Sequence, residues 1–170
     1  MFGFFKRHKK AAAPPPPPPQ DYRPAPGTTI RYSPELIDNL TSDHQRLLAL
    51  YMEIKSHFEH GKYPKVVEKL GEFRTALTSH LLTENVRLYV YLDRQFSADE
   101  TNSELIRGFR KEMDGIGRIA MNFLRKYEEL GVDSDLAERF ADDLATIGKV
   151  LSERITREEQ TLYALYLPEY

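Results

Sequence analysis

Two stretches of the chain carry side chains that can hold a cation. In "SHLLTENVRLYVYL", residues 79–92, His80 and Glu84 stand four apart, which places an imidazole and a carboxylate on one face of a helix. Residues 153–166 read "ERITREEQTLYALY", a near copy in which Glu158 repeats Glu84 but Arg154 takes the place of the histidine. His44, in "LTSDHQRLL", occupies an apolar-seam position of an earlier helix. With no cysteine in the chain, imidazole and carboxylate are the donors left for a divalent cation. Arginine stays protonated in proteins, so Arg154 brings charge and no coordinate bond. Buried alone, the charged members of this group would each cost several kcal/mol, so His44, His80, Glu84, Arg154 and Glu158 must satisfy one another or a ligand. An internal ion-pair network and a bound metal both meet that requirement.

Four helices are needed to bring these residues together. The first seam runs Ile37, Leu40, His44, Leu47, Tyr51, Ile54 and Phe58, in steps of three and four. "SPEL" starts it, with Ser33 as N-cap and Pro34 at the first helical position, and Gly61 in "HGKYP" ends it. Pro64 opens the second helix, whose seam is Leu70, Phe73, Leu77, His80, Glu84, Leu88 and Tyr91. After a loop at residues 95–103, a third seam runs Phe109, Met113, Ile116, Ala120, Phe123, Tyr127 and Leu130. "GVDSD" then leads into a fourth: Phe140, Leu144, Ile147, Leu151, Arg154, Glu158 and Leu162.

Short loops between long helices predict an all-α, antiparallel up-and-down four-helix bundle. At 1.5 Å per residue, His44 and His80 both lie about 24 Å from the first turn. Met113 and Arg154 come level across the last one, so one layer of the core is polar.

A chain of 170 residues with 41% apolar and 29% charged residues has the makings of one globular domain. No run is apolar enough to span a bilayer, and the N-terminus places apolar residues before its charges, the reverse of a secretory signal. The expected compartment is the cytoplasm. Without cysteine there are no disulfides, thiolate zinc sites or cysteine nucleophiles. Neither a glycine-rich phosphate loop nor a serine or lysine nucleophile motif is present.

The net charge of −2 is divided unevenly. Lys6, Arg7, Lys9 and Lys10 put about +4 in the first ten residues, which leaves about −6 on the rest. An acidic body of this kind is a poor nucleic-acid binder. Residues 1–30 contain "AAAPPPPPPQ", which predicts a disordered, proline-rich linker ahead of a bundle at residues 31–170. Phe2, Phe4 and Phe5 beside the four cations suit residues 2–10 to weak contact with a membrane surface or to docking on a protein.

The motif order resembles the hemerythrin-like, or HHE cation-binding, family of four-helix bundles, over residues 33–168. "LTSDHQRLL" is similar to the family's first-helix motif, "HLLTENVRLY" to its first HxxxE, and "RITREEQTLY" to its second with Arg154 in place of the histidine. The resemblance implies a di-iron centre ligated mostly by histidine. It retains His44, His80, Glu84 and Glu158, and would place further histidines near Met113 and Gly117, where this chain has none. Arg154 is therefore expected to replace the metal by forking onto Glu84 or Glu158, with no cofactor required. Any cofactor would be iron or another divalent metal at the four retained residues.

On this reading the chain is a non-catalytic regulatory or sensory module that binds protein partners, and not an enzyme. A second resemblance points to the Rsd/AlgQ family of sigma-factor-binding regulators, carried by "DLATIGKVLSERITREEQTL" and "HQRLLALY". An iron- or oxygen-handling protein is the third possibility. His57 and His60 read as solvated cations at the negative end of the first helix. Tyr89, Tyr91, Tyr163 and Tyr166 read as packing at one bundle end, or as an aromatic patch for a partner.

Overall fold

The computed structural model describes residues 23–168. The proline run and the Phe2–Lys10 segment lie outside the described residues. Helix α1 spans Leu36–Glu59, and α2 spans Tyr63–Thr83. A π-helical turn, Glu84–Leu88, carries α2 without a break into α3, Tyr89–Gln95. Helix α4 spans Glu100–Lys126 and α5 spans Ser134–Arg157, extended by a second π turn, Glu158–Leu162, and a 3₁₀ turn, Tyr163–Leu165. The α2–α3 rod and the other three helices form the expected bundle. Helix α1 packs on α2 and α5, and α4 packs on α2, α3 and α5.

The turns are set by local chemistry. Gly61 and Gly131 adopt φ of 65° and 96° at the two tight reversals, a region that costs other L-residues energy. At Gly131 a Cβ would also lie 2.9 Å from that of Tyr63. Asp99 caps α4 by accepting from Asn102 N, and Asp133 caps α5 by accepting from Asp135 N. The Asp99 cap shortens the loop expected at residues 95–103, because α4 begins at Glu100. The start of α1 also differs from expectation. Ser33 is not its N-cap: the Ser33 carbonyl accepts from Leu36 N in a preceding turn, and the Ser33 amide donates to Tyr166 Oη at 2.8 Å.

Residues 23–30, expected to belong to the linker, form a turn that packs on the bundle. Ala25 N donates to Ile30 O at 2.7 Å, Thr28 Oγ1 donates to Ala25 O, and Ala25 is buried among the tyrosines of that end. The apolar side chains of Ala25 and Ile30 draw the segment down.

The core divides into two apolar clusters. One, from Leu47 and Leu77 to Phe140 and Leu151, fills the end with the α1–α2 and α4–α5 turns. The other, from Leu36 and Leu40 to Leu162 and Tyr166, fills the opposite end. His44, His80, Glu84, Arg154 and Glu158, all buried, lie between them.

Candidate functional site

Each π turn begins at the glutamate of its motif, with Tyr89 N donating to Glu84 O and Tyr163 N to Glu158 O. A π turn adds one residue to a helical turn, so the residues beyond it are rotated by about 100° relative to an uninterrupted α-helix. Tyr89 and Leu92 thereby join Leu88 and Tyr91 in the core. The two motifs share the spacing Glu-x4-Tyr, and each tyrosine serves the other motif. Tyr89 Oη accepts from Arg154 at 2.9 Å, while Tyr163 Oη donates to Glu84 Oε1 at 3.1 Å.

All five predicted residues meet in this layer. Arg154 is 1% exposed. Its Nε donates to Glu158 Oε1 at 2.5 Å and its Nη1 to Glu112 Oε2 at 3.1 Å. The guanidinium also stacks over the Phe109 ring, 4.6 Å from its centroid. Of the two carboxylates offered to it, Arg154 hydrogen-bonds Glu158 and not Glu84. The other oxygen of Glu158 faces His44 Nε2 at 3.2 Å. His44 Nδ1 pairs with Glu159 Oε1 at 2.8 Å, and its ring stacks on Tyr163. His80 Nε2 lies 3.8 Å from Glu84 Oε2, and its Nδ1 lies 3.6 Å from Asp43 Oδ2, outside hydrogen-bond reach. Glu84 Oε2 and His80 Nδ1 are buried without a hydrogen bond.

The electrostatics follow from burial and pairing. Burial alone would lower the pKa of His44, but its hydrogen bonds to Glu158 and Glu159 raise it above the usual value. Burial, together with the neighbouring charge of His44, pulls His80 down to about 4. Glu84 is pushed up to about 8 by burial and by the charge of Glu158. Burial opposes ionisation of Glu158, yet the His44 hydrogen bond and the Arg154 charge hold its pKa below normal. The layer therefore contains one firmly ionised pair, Arg154–Glu158, beside a Glu84 that favours its proton.

Donor atoms of His44, His80 and Glu158 all lie within 4.8 Å of one another. A cavity of about 20 Å³, lined among others by Tyr51, Met113 and these three residues, reaches the layer between α1 and α5. It has room for one water-sized molecule or ion. Tyr51 forms part of its wall and lies against Gly148, where a Cβ would collide with the ring.

Met113 and Gly117 are buried at the expected level of α4 but offer no donor, and a fixed cation occupies the side of Glu158 that faces α4.

Five residues around the layer were missed: Asp43, Tyr89, Glu112, Glu159 and Tyr163. Three of them, Asp43, Glu112 and Glu159, adjoin His44, Met113 and Glu158 in sequence. The repeated Glu-x4-Tyr was the readable signal for the tyrosines. Tyr89, Tyr91, Tyr163 and Tyr166 are all buried, so they do not form an exposed aromatic patch. His60 is exposed, with its Nδ1 on Ser56 O at the end of α1.

No helix among the described residues is long and apolar enough to cross a membrane. No curated protein and no solved structure matched the chain significantly. The sequence profile of the hemerythrin HHE cation-binding domain matches residues 35–166, which includes the whole bundle and both glutamate motifs. The chain belongs to the hemerythrin family of HHE cation-binding domains.

Proposed function

We propose that this domain is a non-catalytic regulatory or sensory module of the hemerythrin type, acting in the cytoplasm through protein partners rather than by carrying or activating oxygen. The observation that supports this reading is Arg154. A buried guanidinium with three hydrogen-bonding partners, on the second π turn, α4 and α3, occupies the layer where the family's remaining ligands would converge. It contributes a permanent positive charge there, which disfavours a second divalent ion by like-charge repulsion. A bound metal would supply Lewis-acid or redox chemistry, and His44, His80, Glu84 and Glu158 are the residues to hold it. Beyond that, the chain's own groups orient one another: Tyr163 fixes Glu84, Glu159 fixes His44, and Arg154 fixes Glu158. The acidic body favours protein over nucleic acid as partner.

The test is iron loading of the full chain in air, beside a Met113→His/Gly117→His/Arg154→His variant. Visible absorption and oxygen uptake are recorded. The natural chain should show neither oxo-bridged iron bands nor oxygen consumption, whereas the variant, with its donors restored, should take up additional iron. Oxo-bridged bands or oxygen uptake in the natural chain would refute the non-catalytic reading. Tight, stoichiometric binding to the housekeeping sigma factor would instead favour the Rsd/AlgQ resemblance.

A further inference from the structure

Helix α4 has a second ordered side besides its core face. Lys111, Asp114, Arg118, Met121 and Arg125 recur in steps of three and four, so they share one side of the helix. All are exposed except Met121, which is half-buried. The three cations stand seven residues apart, about 10.5 Å along the axis, and none of them forms an ion pair among the described residues. The other cations of α4 are engaged: Arg110 lies against Asp93, Lys126 against Asp143, and Arg107 donates to Ser103 O. From Asp114 to Arg125 this row edges a groove of about 360 Å³ between α4 and the α2–α3 rod, with Leu81 and Asn85 on the facing edge and Met113 and Gly117 at its buried base. One step further round α2, Leu82 and Val86 are 60% and 49% exposed. Gly117 is not required by its backbone, which has no positive φ. A Cβ there would meet only Leu81 Cδ1, at 3.4 Å, so alanine would fit and would suit the helix better. Glycine at this position adds depth to the groove.

We propose that the α2–α4 groove is a docking site for an acidic amphipathic helix of a protein partner, with its apolar residues on Leu81, Met113 and Met121 and its carboxylates on Lys111, Arg118 and Arg125. The inference deepens the reading above, in which the domain works through protein partners, and rests on it. Charge complementarity selects the occupant. A helix with carboxylates seven residues apart repeats the spacing of about 10.5 Å between the unpaired cations, and its apolar face has a groove to enter. Methionine, flexible and polarizable, adapts to the side chains it receives. Asp114, between Lys111 and Arg118 in the row, disfavours a uniformly charged phosphate backbone, which would also gain nothing from the apolar base.

The test is selection of a phage-displayed library of random helical peptides, each of about five turns, on the full chain. Enriched sequences should carry Asp or Glu seven residues apart, with apolar residues on the same face between them. The most enriched peptide, labelled with fluorescein, is then titrated with the full chain and followed by anisotropy. Arg118→Glu/Arg125→Glu reverses two exposed charges, so it should keep the natural circular dichroism while weakening the peptide by about 10-fold or more. Gly117→Ala should raise the melting midpoint and yet weaken the peptide several-fold, whereas a merely structural glycine would show only the first effect. Four outcomes would overturn the proposal: no enrichment, enriched peptides without acidic residues, binding unaltered by either variant, or a DNA duplex that takes the same arginines more tightly than the peptide. Each removes only the groove. Oxygen uptake by the iron-loaded chain would remove the non-catalytic reading and leave the peptide result standing.

Discussion

Removing the Arg154 guanidinium should be the most damaging single truncation in the polar layer. Arg154→Ala breaks a buried ion pair to Glu158 at 2.5 Å and a hydrogen bond to Tyr89 at 2.9 Å. Breaking a buried pair from one side strands the other charge, at a cost of roughly 3–5 kcal/mol. The lost contact to Glu112 adds little, because that side chain is 39% exposed and returns to water. His44, on the opposite oxygen of Glu158, remains as partial compensation and favours the lower part of that range. For a domain of this size each kcal/mol moves the melting midpoint by about 2–4 °C, so the expected fall is roughly 6–20 °C. The assay is thermal unfolding followed by circular dichroism, with chelator present so that no added cation replaces the lost charge. Arg154→Met/Glu158→Gln, which removes both charges, should recover much of the loss, since a buried pair is often replaceable by neutral groups of similar shape. An unchanged midpoint for Arg154→Ala, or a double variant no more stable than the single one, would refute the ion-pair account.

Tyr163→Phe should cost about 1–3 kcal/mol by leaving Glu84 Oε1 without its donor, measured as a shift in the urea midpoint; no shift would show that Glu84 finds another partner. In metal-stripped protein, stability should fall as pH rises from about 6.5 to about 8. The native state holds a proton on Glu84 up to about 8 that the unfolded chain releases near 4.5, and His44, with its raised pKa, acts in the same sense. The slope contributed by one such proton is at most about 1.4 kcal/mol per pH unit; Glu84→Gln should reduce it, and an unaltered slope would place the titration elsewhere. Between about pH 4.5 and 6.5 that slope should be largely offset, because there the unfolded chain protonates its histidine at position 80 while the native state, whose value lies at about 4, does not. Deleting residues 1–22 should leave melting nearly unchanged and abolish sedimentation with anionic vesicles, which salt should weaken. Equal pelleting of both forms, or none by either, would exclude a membrane role for the tail.

The helical seams were legible because burial imposes a period of 3.6 residues on any amphipathic helix. That period placed His44, His80, Glu84, Arg154 and Glu158 on core faces, and short loops between long helices set the heights at which they meet. The identity of Arg154 alone showed that the copied motif had exchanged a donor for a charge. Sequence could not assign its partners. Glu84 and Glu158 occupy equivalent positions in the two motifs, and which of them takes the arginine depends on the reach of a side chain across a packed interior. The π turns were likewise hidden, since an i→i+5 bond replaces an i→i+4 bond only where neighbouring helices favour the rotated residues. Those turns carry Tyr89 and Tyr163 into the layer, each toward the other's motif. The folded turn at residues 23–30 also escaped, because it lacks a helical period and the burial of Ala25 comes from the apolar cluster at that end of the bundle. Local pattern thus determined which residues face inward and at what level. Only the assembled bundle decided which charge meets which, because pairing in a low-dielectric core is fixed by distances between elements far apart in the chain.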